Sequence, residues 1–345
     1  MTSRTLIMVI KIRLNNDKKG IGTITVAAIV AVIIIVAACA VILINNNSDA
    51  KTFAPGTTFS YDVNGTYTYS EYEFILTGTI DQELVSQNDK EYFFDDKMVI
   101  DIKYNTETTN LIDQETVDMV EKSNMVSSDA VKIGTCTLDT IDGNKTVVIW
   151  QETDSESGSV ETDYVGSDNN VLYKSTIEIT DGSNTIELTA ILSDSDLKWQ
   201  TSYKESSSIG VTYNYDITGE VIDHSDSNVT GTCTLECVGE GSQYCFQADT
   251  EIEITISGQS NSETDTSYTL SDSISGLSDS AVLTGTTNMQ TIDGYLTLNI
   301  WTDSDTDEED TCYVSQDGNV IYLESALLSL DYYDLNIEMT LTSRS

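Results

Sequence analysis

The stretch Thr140–Trp150 reads TIDGNKTVVIW, and a near copy of it, TIDGYLTLNIW, stands at Thr291–Trp301. Seven of the eleven positions are identical at an offset of 151 residues. In both copies an Asp-Gly pair, which is typical of tight hairpin turns, precedes residues that alternate between apolar and polar. Such alternation places successive side chains on opposite faces of a β-strand. The stretch therefore predicts a turn followed by a strand, present twice in the chain.

The likeness between the two halves continues on both sides of this stretch. Further matches occur in the same order along the chain: Tyr61–Gly65 with Tyr215–Gly219, Ala130–Thr135 with Ala281–Thr286, and Tyr164–Tyr173 with Tyr313–Tyr322. A repeat of about 150 residues has the length of a whole domain and is too long for a solenoid unit. The sequence thus predicts two tandem homologous domains, residues 55–198 and 208–345, with a linker at 199–207.

The predicted fold class is all-β, with each copy an antiparallel curved sheet of half-barrel or sandwich-like form. About eight or nine short alternating strands are expected per copy. The chain has one proline, Pro55, so its turns rely on Gly, Asn and Asp, which tolerate positive φ. Only Thr116–Lys122 predicts a helical turn or two, and it is interpreted as an elaboration of the first copy.

An apolar segment precedes the β-rich part. Ile21–Ile44 is 24 residues of mostly Ile, Val and Ala without a charge, long enough for a transmembrane helix across a hydrocarbon core of about 30 Å. Residues 1–20 carry five basic groups and no basic residue follows the helix directly, so the N-terminus is expected in the cytoplasm and the C-terminal part outside the cell membrane. Residues 45–54 form a linker. A cleaved signal peptide is the alternative.

Two resemblances follow from these features. Lys18–Thr23 with the apolar helix after it resembles the N-terminus of archaellins and archaeal type IV pilin-like proteins, which implies cleavage after Gly20 and a filament subunit. The order of turn, Trp-ending strand, Tyr-Val and Val-Leu-Tyr resembles lipoprotein-carrier half-barrels. With Ala54–Thr57 after the anchor, it also resembles uncharacterised archaeal membrane-anchored surface proteins. The carrier resemblance implies a concave face that holds acyl chains.

The charge of the chain restricts its partners. Its formal net charge is −41, and the residues after position 44 carry −45. Such a surface repels nucleic acid and anionic lipid headgroups, so the predicted partners are the membrane, through residues 21–44, and an unknown surface partner or ligand.

Few residues suggest chemistry. His224 is the single histidine and is predicted in an exposed turn, which makes a catalytic triad or a multi-histidine metal site improbable. Asp303, Asp305 and Asp307 resemble the first half of a calcium loop without its Gly and closing Glu, so they predict an acidic hairpin tip or weak Ca²⁺ binding.

Two other kinds of site are predicted on an exported chain. Cys237 and Cys245 flank a hairpin loop and are candidates for a disulfide. Asn46, Asn64, Asn144 and Asn228 each stand two residues before Ser or Thr and are candidate glycosylation sites.

Trp150 and Trp301 occupy matching positions and would either line a concave binding face or cap a core. The function predicted from all this is a non-catalytic, membrane-anchored extracellular surface protein without a cofactor. A carrier of lipid or another apolar ligand and a filament subunit are the alternatives.

Overall fold

The structure is a computed structural model of the 345-residue chain. It describes residues 52–69, 72–104, 107–121, 130–153, 159–169, 171–181, 184–200, 203–204, 206–222, 224–275, 277, 281–305, 308–329 and 334–345, and for a few strand residues the backbone only. The predicted cytoplasmic segment, transmembrane helix, cleavage site after Gly20, Asn46 and Asp307 lie outside these residues.

The described part of the chain is built of strands and contains no helix, which confirms the all-β fold class. The strands are β1 Thr52–Phe53, β2 Thr58–Tyr69, β3 Tyr72–Gln87, β4 Glu91–Tyr104, β5 Glu107–Glu121, β6 Val131–Thr140, β7 Gly143–Thr153, β8 Val160–Gly166, β9 Leu172–Asp181, β10 Asn184–Asp196, β11 Trp199–Gln200, β12 Thr212–Val221, β13 Ser227–Gly241, β14 Tyr244–Ile256, β15 Gln259–Ser271, β16 Val282–Thr291, β17 Gly294–Asp305, β18 Glu308–Val314, β19 Ile321–Ser329 and β20 Asp334–Arg344.

Two antiparallel sheets of nine strands have the same order. The first runs β6-β7-β8-β9-β10-β2-β3-β4-β5. The second runs β16-β17-β18-β19-β20-β12-β13-β14-β15. Among the described residues no pairing joins β5 to β6 or β15 to β16, so both sheets are open. The four outer strands are therefore β5, β6, β15 and β16.

The predicted helical turn at Thr116–Lys122 is wrong. Residues up to Glu121 belong to β5, which pairs with β4 along its length, from Glu107 opposite Tyr104 to Glu121 opposite Glu91. The apolar residues of TVDMVE fit a strand as well as one helical turn, and cross-strand pairing outweighs such a weak local preference. In the second sheet β15 takes the place of β5, so this segment is not an elaboration of one half.

Each sheet buries one core on a face that we call its inner face. The first core includes Phe59, Leu76, Phe94 and Ile100, and the second includes Ile217, Val229, Phe246 and Leu335; all are at most 2% exposed. Burying a side chain of this size contributes about 1.5–3 kcal/mol, so these residues hold each sheet together.

A glycine in the centre of each sheet allows neighbouring strands to approach. Gly78 lies opposite Ile100, and Gly231 lies opposite Ile252. A Cβ atom at either position would overlap a carbonyl oxygen of the next strand, that of Val99 or Glu251. Glycine is therefore required at both places, as is usual where a strand bends or another backbone comes close.

The two sheets are joined by backbone pairing. The end of β13 pairs with the end of β3, with Glu240 opposite Gln87 and Gly241 opposite Ser86. Just beyond, the backbone N–H of Ser242 donates to the carbonyl of Val85 at 2.9 Å. These bonds connect the two units directly and do not involve the predicted linker at 199–207.

The predicted linkers contain a short strand pair of their own. β1 pairs with β11, and the rings of Phe53 and Trp199 stack with their centroids 4.6 Å apart. The N–H of Phe53 donates to the Tyr92 hydroxyl at 3.2 Å. The residues that lead into the first sheet are thus fixed against those that leave it.

Candidate functional site

A group of buried carboxyl groups lies on the inner face of the first sheet. Asp163 of β8 stands opposite Trp150 of β7 on one side and Ser175 of β9 on the other. Two residues away on the same face, Glu161 lies opposite Glu152. We call Trp150, Glu152, Glu161, Asp163 and Ser175 the first acidic cluster.

Burial controls the chemistry of this cluster. Asp163 is 4% exposed, and one of its carboxyl oxygens, Oδ1, is buried without a hydrogen-bond partner. Loss of solvation raises the pKa of Asp163 to about 7. Loss of solvation, followed by repulsion from Asp163 and Glu152, raises the pKa of Glu161 to about 9. At neutral pH the cluster therefore holds protons that ordinary surface carboxylates would have lost.

The second sheet has a matching group, which we call the second acidic cluster: Trp301, Asp303, Asp310, Cys312 and Glu324. Trp301 of β17 stands opposite Cys312 of β18, which stands opposite Glu324 of β19, and Asp303 lies opposite Asp310. Loss of solvation, with a smaller contribution from Asp310, raises the pKa of Glu324 to about 7. The same cause, with smaller contributions from the charges of Glu324 and Asp310, raises the pKa of the Cys312 thiol.

The two clusters differ by an exchange between neighbouring strands. In the first, the strand after Trp150 carries an acid, Asp163, and the next strand carries a small residue, Ser175. In the second, the order is reversed, with Cys312 first and the acid, Glu324, second. Each inner face thus has three acids beside one tryptophan, and the third acid lies on a different strand in the two sheets.

Both tryptophans belong to these clusters. Trp150 packs against the first core, and the indole N–H groups of Trp150 and Trp301 are buried without a hydrogen-bond partner. The structure places both rings on the inner face beside acids. They therefore lie on the face that holds the core, and Trp150 packs against that core, as in the second of the two sequence predictions. Strand alternation from Trp150 and Trp301 could have identified Glu152 and Asp303, two residues further along the same strands. Glu161, Asp163 and Glu324 lie on other strands, so only the strand register identifies them.

The first sheet buries a further acid, Asp96, that has no acidic counterpart at the corresponding position of the second sheet. The side-chain amide of Gln82 donates to Asp96 at 2.7 Å, and burial together with the nearby Asp118 raises the pKa of Asp96. In the second sheet, Leu235 and Ala248 face each other in β13 and β14 at the corresponding positions. An apolar pair stands there in place of the polar one, so the two sheets differ in this part of the core.

The predicted calcium residues are only partly described. Asp303 is half-buried in the second acidic cluster, Asp305 is described by its backbone in β17, and Asp307 lies outside the description. Within the ranges that the structure covers, no three His, Cys, Asp or Glu residues are placed to hold a metal ion. Calcium binding at the β17–β18 tip stays a prediction.

Cys237 and Cys245 are both buried, and both thiols are free in the structure. A bulge offsets them, so Cys237 lies opposite Phe246 and Cys245 lies opposite Gly239. Loss of solvation raises the pKa of Cys237 to about 11 and that of Cys245 as well. The disulfide between them stays a prediction.

Three predicted glycosylation sites lie in described strands. Asn64 in β2, Asn144 in β7 and Asn228 in β13 all have exposed side chains. Exposure makes them accessible to a glycan, and their occupancy stays a prediction.

His224 lies in the wall of a shallow open cleft of about 580 Å³, together with Glu220, Ile222 and Asn336. The predicted exposed turn is present, because the His224 N–H donates to the carbonyl of Val221 at 3.2 Å. The inner faces, by contrast, are occupied by their own aromatic and aliphatic side chains.

Comparison with known proteins gives no family for this chain. No family model and no curated protein matches it. A crystal structure of a Nitrosomonas europaea protein assigned provisionally as AttH aligns with 82% of this chain and 92% of its own, at 9% identity and a TM-score of 0.15. That score is too low for the likeness to carry an argument. In the described part of the chain there is no helix long and apolar enough to cross a membrane.

Proposed function

We propose that this protein is a non-catalytic, membrane-anchored surface protein that displays two homologous curved β-sheet domains outside the cytoplasm, in a structural or binding role. The uncharged segment 21–44, with basic residues before it and a charge of −45 after it, supports the anchor and its orientation.

Homology of the two halves is supported by details beyond the strand order. In the first, the Thr140 hydroxyl donates to the carbonyl of Gly143 at 2.8 Å, and the Tyr173 hydroxyl donates to Asp142 at 2.7 Å. The same two bonds recur between Thr291 and Gly294, and between Tyr322 and Asp293. Independent origin of such matching turns in one chain is improbable, so duplication of one ancestral domain is the simpler explanation.

The observation that carries the proposed role is the filling of both inner faces. Phe59 and Phe94 of the first sheet and Phe246 of the second have no exposed surface. A carrier of acyl chains needs an apolar cavity of several hundred Å³, and the burial of these side chains supports packed inner faces instead. On this proposal the outer surfaces carry the binding or structural role.

Topology can be tested on the full chain, expressed in a bacterial host with a C-terminal tag. We expect the chain to be found in the membrane fraction. We also expect that protease added to intact spheroplasts removes the tag. A variant that lacks residues 21–44 serves as control and should be soluble and protected. A full chain that is soluble, or protected in spheroplasts, would overturn the proposal.

Sequencing the mature N-terminus separates the anchor from the filament alternative. A start at Met1 or Thr2 supports an uncleaved anchor. A start at Ile21 would instead support processing of the pilin type.

A further inference from the structure

Two outer strands of the sheets differ from the rest of this acidic chain. β16, residues 282–291, carries no charged residue, and β6 carries one lysine and one aspartate. The other outer strands are acidic: β15 has two acids and no base, and β5 has five acids and no base. In a chain with 57 acidic residues, β16 is the one described strand longer than two residues that carries no charged residue. β6, which carries no net charge, is the outer strand at the equivalent position of the first sheet.

These neutral edges are also apolar and exposed. Val131 and Ile133 of β6 are 64% and 54% exposed, and Val282 and Leu283 of β16 are 63% and 51% exposed. Large apolar side chains in such numbers at one sheet edge are characteristic of interaction sites.

The space beside both edges is open. β6 pairs with β7 and β16 pairs with β17, and the described residues provide no partner on the outer side. The faces of both strands are little covered as well, since a Cβ at Gly134 would meet no atom within 4 Å, and one at Gly285 would meet only the end of Ile300 at 3.8 Å. An outer strand of this kind presents unpaired N–H and C=O groups that another strand can bind.

Natural sheets protect such edges with charges, prolines or bulges. Both strands have a bulge near their start, between Lys132 and Gly134 and between Leu283 and Gly285. Beyond it, Thr286–Thr291 pairs regularly with β17 and includes three threonines, which favour extended backbone. This part of β16 has neither a charge nor a proline for protection.

We propose that β16 is a homotypic docking edge, which pairs antiparallel with β16 of a second copy of this chain. The partner follows from charge. Two copies that each carry −41 repel each other over most of their surfaces, and β16 is the strand where close approach sets no acids against each other. A two-fold symmetric contact of this kind places the same neutral strand on both sides.

The experiment measures the association of the full chain in detergent by sedimentation equilibrium at physiological salt. We expect a monomer–dimer equilibrium that tightens as salt rises, because salt screens the repulsion between the copies. Leu283→Asp together with Thr286→Asp should weaken association by at least about tenfold in Kd, because acids on both copies would then face each other. Thr218→Asp in β12 is the control, since Thr218 is exposed in a strand that is paired on both sides.

Each outcome decides the proposal. Loss of the dimer in the edge variant but not in the control, with both variants keeping the unfolding midpoint of the parent chain, supports it. A monomer at all concentrations up to about 100 µM, well above the ~1 µM of a moderate contact, would overturn it. So would a dimer that the edge variant leaves unchanged, which would assign association to another surface. None of these outcomes depends on the orientation of the anchor, so this test and the topology test can fail separately.

Discussion

Replacement of Asp163 by asparagine tests the first acidic cluster. The change keeps the shape of the side chain and removes its ability to ionise. Asp163 is 4% exposed, and burial raises its pKa from the ordinary 3.8 to about 7. The folded chain therefore holds a proton that the unfolded chain releases between these two pH values. Stability contributed by this proton is fully present below about pH 4 and is lost as pH rises to about 7.

The size of the effect follows from the same shift. One pKa unit corresponds to about 1.4 kcal/mol, so Asp163 costs the parent chain up to about 4 kcal/mol above pH 7. Glu161 lies in the same buried cluster, and burial raises the pKa of its carboxyl group to about 9. The two groups therefore titrate together. We therefore expect Asp163→Asn to raise the free energy of unfolding by about 2–4 kcal/mol at pH 8, relative to its effect at pH 3.5.

The assay is urea unfolding of the full chain in detergent at several pH values, followed by tryptophan fluorescence. Asp216→Asn is the matched control, because it makes the same chemical change at an exposed strand residue. A shallower decline in stability between pH 4 and pH 7 in the Asp163 variant alone would support the reasoning. Equal profiles for parent and variant would refute it.

Three further predictions concern the junction, the repeated turns and the thiols. Gly239→Ala should destabilise the chain by about 1–3 kcal/mol, because its Cβ would lie 2.6 Å from Ser86 and 2.7 Å from the Phe93 ring; Gly134→Ala, at an open edge, should change the denaturation midpoint little. Tyr173→Phe and Tyr322→Phe should each lower the free energy of unfolding by about 1–3 kcal/mol, because each removes a hydrogen bond to the aspartate of its turn. The loss for Tyr173 should be the larger one, because its hydroxyl also accepts from Asn169 at 2.7 Å; no loss in either variant would contradict a structural role for these bonds. The Cys237 thiol should resist iodoacetamide at pH 8 until the chain is unfolded, because burial raises its pKa to about 11; mass spectrometry of the product, with and without reductant, also shows whether it is bonded to Cys245.

Strand content and the repeated turns could be predicted because they depend on local sequence. The Asp142-Gly143 turn is present as expected, with Gly143 at a φ of 83°, and alternation identified β7 and β17. The order of strands could not be read this way, since the pairing of β2 with β10 and of β3 with β13 joins residues more than a hundred positions apart. Long-range pairing of this kind leaves no local sequence signal.

The acidic clusters could be predicted only in part. Asp163 and Glu161 alternate with neighbours as strand residues do, and on sequence alone an acid in a strand is assigned to the solvent face. What reverses that assignment is the neighbouring strand, which places Trp150 opposite Asp163. The sequence therefore located the tryptophans, whereas the burial of the acids could be recognised only from the alignment of β7 with β8.

The claim that most needs a direct test is that both inner faces are filled by the protein's own side chains. Native mass spectrometry of the full chain, released from detergent after purification from cells, measures this. We predict a mass equal to that of the polypeptide with its covalent modifications, unchanged by mild activation in the gas phase. A stoichiometric additional mass of several hundred daltons that is lost on activation, with the released species identified as a lipid, would contradict the account and favour the carrier.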